Sequence, residues 1–113
     1  MIKIYGIPNC DNIKKARKWL ESNDVEYEFH DYKKQGVPES NLKKWVKSAG
    51  WEVVLNKRGT TWRKLPDDIK NNIDEASSIQ VMLENPSAIK RPVLENGKTI
   101  LVGFKEDEYK KLL

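Results

Sequence analysis

Cys10, in the stretch YGIPNCDNIKKA, is the only cysteine of the chain, and the place that would complete a C-x-x-C pair holds Ile13. An intramolecular disulfide is therefore excluded. What remains is the chemistry of one thiolate, a nucleophile toward an oxidised sulfur or another soft electrophile. Pro8, Asn9, Asp11 and Asn12 around it are turn and cap residues rather than core formers. They put the thiol just ahead of a helix-patterned segment. The unsatisfied amides and dipole of a helix start favour an anion, and so the reactive form of the thiol. Lys14 and Lys15 add positive charge about one turn on, and Asp11 opposes them. A free cysteine is also commonly a small buried apolar residue, and local chemistry leaves both readings open.

Two further clusters could act with it. Between Asn56 and Lys64 the chain carries Arg58, Gly59, Thr60, Thr61, Trp62 and Arg63. A guanidinium there could hold an anionic oxygen bidentately or steady a thiolate, although a solvated basic loop would look the same. The second cluster is Lys90-Arg91-Pro92, where a proline opening a strand after two charges could hold a cis bond. The candidate catalytic residues are thus Cys10, Arg58 and Arg91. Asn9, Asn12, Thr60, Trp62 and Pro92 are the candidate substrate contacts. One cysteine and one histidine, His30, leave no sensible soft-metal cluster, and no metal is expected.

The elements that must carry these residues follow from periodicity. IKIYG reads as a first strand ended by Gly6 and Pro8. From Asp11, Ile13, Ala16 and Leu20 fall on one helical stripe that Ser22-Asn23-Asp24 closes. VEYEFHDY alternates, with Val25, Tyr27 and Phe29 on one face and Glu26, Glu28 and an exposed His30 on the other. This β-α-β unit implies a parallel pair, and Cys10 at the carboxyl end of its first strand lies where open α/β sheets place their sites. Leu42, Trp45, Val46 and Ala49 then mark a helix between Pro38 and Gly50. WEVVL is a short apolar piece, and NKRGTTWRKL a polar loop. LPDDIKNNI reads as a short helix, and DEASSIQVMLENP as another, capped by Asp74 and stopped by Pro86. PVLE and TILVGF flank Asn96-Gly97 as a hairpin. EDEYKKLL is a last amphipathic helix with Tyr109, Leu112 and Leu113 apolar. The four tryptophans, Trp19, Trp45, Trp51 and Trp62, are spread over separate segments and read as packing, with Trp62 of interest because it sits in the arginine loop.

The expected architecture is α/β: a four-stranded mixed sheet in one domain over residues 1–113, with a helical insertion over approximately 37–88. Net charge is +4, with 38% hydrophobic and 34% charged residues, which is polar but globular. The basic residues are interspersed with acidic ones, so nucleic-acid binding is not expected. No stretch is long enough to span a membrane, and MIKIYGIP lacks a signal-peptide layout. A reducing, cytoplasmic setting fits best.

In order along the chain, YGIPNCDNIKKARKWL, LNKRGTTWRKL, IKRPVLENG and ILVGF resemble the arsenate reductase-like/Spx-like (ArsC) family of thioredoxin-fold proteins, most closely its YffB-type branch. The resemblance covers essentially the whole chain. It implies that Cys10 is the redox-active thiol, that Pro92 follows a cis bond beside it, and that Arg91 faces the thiol. Arg58 matches an arginine shared by the YffB-type and Spx-like branches. Four positions depart from the family pattern. Its glutaredoxin-linked arsenate reductases carry a histidine at Gly6, an arginine at Asn56 and another near Gly103, and its Spx-type regulators commonly carry a second cysteine at Ile13.

The reading is a monothiol oxidoreductase that uses glutathione as co-substrate, with no bound cofactor, and glutathione or a glutaredoxin as partner. A monomer is expected. The alternatives are a glutaredoxin-linked arsenate reductase and an Spx-like regulator that binds RNA polymerase.

Overall fold

The computed structural model describes residues 2–113. The chain divides into two compact units. One holds the N-terminal segment through Gln35 together with Arg91–Leu113, and the other holds Gly36–Lys90.

The first unit is built on the sheet. β1 (Ile2–Gly6) pairs in parallel with β2 (Tyr27–Asp31), the crossover being made by α1 (Asp11–Ser22). On its other edge β1 pairs antiparallel with β3 (Val93–Asn96), which forms a hairpin with β4 (Thr99–Val102), giving the order β2-β1-β3-β4. This is the four-stranded mixed sheet of a thioredoxin-like fold. Ile4 lies opposite both Phe29 and Leu94, so the period of two brings these side chains to one face. The helical stripe of α1, Ile13, Ala16 and Leu20, covers that face together with Tyr109 of α8 (Glu106–Lys110). Ile4, Ile13, Leu20 and Leu94 are fully buried, and each contributes roughly 1.5–3 kcal/mol of transfer free energy. Trp19 and Phe104 meet the Tyr109 ring edge-on at 5.6 and 4.8 Å.

Three expectations shift in this unit. His30 is half-buried rather than exposed: its ring lies 4.8 Å from that of Tyr5 and 6.4 Å from that of Tyr32, which heads the single turn α2 (Tyr32–Gln35). The face opposite α1 is therefore aromatic as well as polar, and Tyr5 donates from its hydroxyl to Glu95 Oε1 at 2.8 Å. The hairpin loop is Gly97-Lys98, because Asn96 still pairs with Thr99, and Gly97 takes φ 61° at its first position. The last helix stops at Lys110, leaving Leu112 packed on the core and Leu113 69% exposed.

In the second unit, α3 (Glu39–Ala49) buries Leu42, Trp45 and Val46 and ends at Gly50, whose φ of 91° suits only glycine. Within the apolar piece WEVVL, Trp51–Val54 form the single turn α4, and Leu55 after it is extended. The polar segment after it is not all loop, since Thr60–Arg63 form a helical turn, α5. α6 (Asp67–Asn71) and α7 (Glu75–Glu84) follow. The cap expected at Asp74 is a reciprocal box. Ser77 N–H donates to Asp74 Oδ1 at 2.8 Å, and Asp74 N–H donates to Ser77 Oγ at 2.9 Å. A 3-10 turn at Pro86–Ala88 leads to an isolated bridge between Leu55 and Ile89.

Candidate active site

Cys10 is the N-cap residue of α1, with φ −94° and ψ 132°. Its carbonyl accepts the first helical bond, from Lys14 N–H at 3.0 Å, and its own N–H donates to Ile7 at 3.3 Å. The extended strand thus turns into the helix at the cysteine itself, and its half-buried thiol points to the amides the helix leaves unused. The sulfur does not make the short cap bond of a serine or aspartate. The Ile13 and Asn12 amides nevertheless favour the thiolate.

The balance of effects sets the direction of the thiol's acidity. Burial is the largest influence and pushes the Cys10 thiol up. It is outweighed by the Ile13 amide, a hydrogen bond from the Arg91 side chain, the Asn12 amide and the Arg91 charge, and the thiol lies below its ordinary value. Lys14, Lys15 and Asp11, the charges weighed from sequence, are exposed.

Arg91 stands two residues before β3, with Pro92 between them. The Arg91-Pro92 peptide is cis, and Pro92 is buried with its carbonyl accepting from Gly103 N–H at 2.8 Å. Gly103 itself takes φ 80°, a conformation that an arginine would adopt only under strain. Asn9 and Asn12 are exposed on the turn beside Cys10. The first unit therefore brings together Cys10, Asn12 and Arg91, with Asn9 and Pro92 adjacent to them in the chain.

Arg58, Thr60 and Trp62 belong to the second unit. Asn56 organises their turn: its Oδ1 accepts from Arg58 N–H at 3.2 Å, and its amide side chain lies over Gly59, 3.1 Å from where a Cβ would stand. Asn56 N–H donates to Ala88 at 2.8 Å, and Thr61 Oγ1 meets Ser87 Oγ at 2.7 Å, so the turn is tied to the 3-10 segment. Lys57 Nζ lies 5.0 Å from the Trp51 ring and 5.6 Å from that of Trp62. Arg58 and Thr60 are left exposed. Two family arginine positions thus have physical occupants here, Asn56 as a turn clamp and Gly103 as a left-handed residue.

A third departure, Gly6, proves inseparable from the fourth. A Cβ on Gly6 would collide with Cδ1 of Ile13. A side chain at residue 6 would require Ile13 to shift. Nothing local in the sequence announces this contact between residues seven apart. Among the described residues no group of histidine, cysteine and acidic side chains could hold a metal ion, and no helix is long and apolar enough to cross a membrane.

The chain is similar to known proteins over nearly its whole length. The ArsC family profile matches residues 5–112. The solved structure of the YFFB protein superposes with a TM-score of 0.96 at 50% identity, over 98% of this chain and 97% of its own. An arsenate reductase (ArsC) related protein from Brucella melitensis gives a TM-score of 0.78 at 50% identity, covering 97% and 92%. The global transcriptional regulator Spx of Streptococcus agalactiae is 29% identical over 115 residues, spanning 100% of this chain and 83% of the relative.

Proposed function

The chain belongs to the ArsC family, and from that premise we propose that it is a monothiol oxidoreductase in which Cys10 is the nucleophile and glutathione the co-substrate. The observation that carries this reading is the Cys10 thiol, held below its ordinary value by the α1 amides and Arg91. A lowered thiol pKa increases the thiolate, the form that thiol–disulfide exchange requires.

The Cys10 thiolate attacks one sulfur of a substrate disulfide R–S–S–R′. A Cys10–S–S–R bond forms as the R–S–S–R′ bond breaks, and R′ leaves as a thiolate that takes up a proton. With no second cysteine in the chain, a glutathione thiolate attacks the sulfur of R, giving GS–S–R and returning the Cys10 thiolate. A further glutathione then releases R–SH and forms oxidised glutathione. Two electrons pass from two glutathiones to one disulfide. Arg91 steadies the Cys10 thiolate in the free enzyme and each time it leaves. Asn9, Asn12 and Pro92 would line the substrate side of the thiol. The assignment of Arg58, Thr60 and Trp62 to glutathione binding rests on the family pattern and, for Arg58 and Thr60, on exposure. Arg58 would hold a glutathione carboxylate.

Arsenate reduction with glutaredoxin is the second reading, supported by the family and by the Brucella relative. Gly6, Asn56 and Gly103 weigh against it, because none can supply fixed positive charge for an oxyanion. A regulatory role through RNA polymerase rests on the Spx relative alone.

Incubation with oxidised glutathione followed by intact-mass measurement tests the proposal. A single glutathione adduct is expected, lost in Cys10→Ser and removed by excess glutathione. If no adduct forms on the wild-type thiol, the oxidoreductase reading fails. Glutaredoxin-coupled turnover of arsenate would favour the second reading instead.

A further inference from the structure

Gly6 closes β1 two residues before the exposed Pro8-Asn9 turn. A Cβ built there would collide with Ile13 Cδ1, stand 3.0 Å from Ile13 Cγ1 and reach Arg91 Cγ at 3.9 Å. The backbone does not require glycine at this place, since Gly6 is not among the residues with positive φ. The missing side chain is thus a matter of space. Both residues that would be touched are among the three that act on the Cys10 sulfur, Ile13 through its amide and Arg91 through its guanidinium, the third being the Asn12 amide.

Ile13 has little freedom to yield. It is 0% exposed in the cluster formed with Ile4, Leu20 and Leu94. A β-branched side chain in a helix holds essentially one χ1 rotamer, and a close-packed interior offers no adjoining void. Rotation about χ2 can carry Cδ1 aside, but Cγ1 is fixed by χ1 and stands 3.0 Å from the new methyl, so Ile13 must give way and the first turn of α1, which carries it, gives with it.

We propose that Gly6 is a positioning residue for the active-site thiol: by having no side chain it lets Ile13 seat against the end of β1, and that seating sets the first turn of α1, with its amides, on the Cys10 sulfur. Ile13 has two functions in this arrangement, a core anchor by its side chain and a thiolate donor by its backbone. The inference rests on the reading of Cys10 as a reactive thiolate.

Four proteins test it: wild type, Gly6→Ala, Ile13→Val and the double variant. Valine lacks the Cδ1 atom that the new methyl would strike. The readouts are the thiol titration followed by ultraviolet absorbance of the thiolate, and the rate of iodoacetamide alkylation below the wild-type pKa. Gly6→Ala should raise the thiol pKa by about one unit and slow alkylation about tenfold. Ile13→Val alone supplies the reference for the double variant, which should return to within about threefold of wild type. A Gly6→Ala protein that is less stable but keeps the wild-type thiol pKa overturns the inference, leaving Gly6 a packing residue. If Gly6→Ala does not fold, the double variant decides. Folding with a wild-type thiol sustains the inference, and a raised pKa or failure to fold overturns it. A wild-type thiol titrating at its ordinary value would instead defeat the oxidoreductase reading, and this inference with it.

Discussion

The thiol turn of the first unit and the arginine turn of the second are both short polar segments between apolar elements, yet they are held in opposite ways. The thiol turn is anchored from below. Ile13, three residues from Cys10, is fully buried in the sheet core, and the buried Pro92 follows Arg91 directly. The arginine turn is closed by polar atoms, the Asn56 side chain and the hydroxyl pair of Thr61 with Ser87 of the 3-10 turn, and leaves Arg58 in solvent. A group whose acidity matters needs a fixed surrounding, because amide contacts to a sulfur act only where the helix start cannot drift. A group that captures a ligand's charge needs reach instead, and an exposed guanidinium on a clamped turn provides it.

The contrast is broken most severely at Ile13. Ile13→Ala removes a fully buried side chain, and chemical denaturation should show a loss of about 2–5 kcal/mol. Variants that retain the fold should also alkylate more slowly at Cys10, since the helix start has lost its anchor. A loss under about 1 kcal/mol would mean that the thiol turn is no better anchored than the arginine turn.

Arg91→Ala should act on chemistry more than on folding. Without the guanidinium the thiol pKa rises, and each unit of rise lowers the thiolate fraction, and adduct formation with it, about tenfold at a pH below the pKa. The same shift has a signature in stability. A thiol whose folded pKa lies below its unfolded value contributes stability that is full above the unfolded pKa and is lost as pH falls through the folded one. Wild-type stability should therefore climb with pH between the lowered Cys10 value and the ordinary thiol value. Arg91→Ala should flatten that climb, and Cys10→Ser should remove it, in denaturation midpoints measured across the window. An undiminished slope in Arg91→Ala would assign the lowered thiol wholly to the α1 amides.

Much of this was legible from residue order. The β-α-β start, the hairpin, the Asp74 cap and the place of Cys10 ahead of α1 are local, written in periods of two and 3.6 and in cap chemistry. What escaped was decided across the chain. Thr60–Arg63 is too short for any period to show, and it is helical in the company of Ser87, 26 residues away. Alternation put His30 correctly opposite Phe29, but the partners that half-bury it are Tyr5 and Tyr32. Gly6 and Ile13 read as two separate departures from a family pattern, and only their contact makes them one. Asn56 likewise read as a missing charge until its side chain was seen closing the turn under Arg58.

Arg58→Ala should have the smallest effect and sharpen the comparison most. The side chain is exposed, and the contact that shapes its turn is made by its backbone N–H, which alanine keeps. Denaturation should move by no more than about 0.5 kcal/mol. The thiol pKa should not move, because the groups that set it are Ile13, Asn12 and Arg91. If Arg58 holds a glutathione carboxylate, the cost falls on binding alone: KM for glutathione should rise several-fold with little change in kcat, since a uniform-binding contact has been removed. Lysine at this position keeps charge without the bidentate fork and should recover only part of the loss. A raised thiol pKa in Arg58→Ala would show that the arginine turn helps set the nucleophile. Unchanged kinetics would remove Arg58 from the site altogether, leaving the first unit's Cys10 and Arg91 as the chemical centre of the chain.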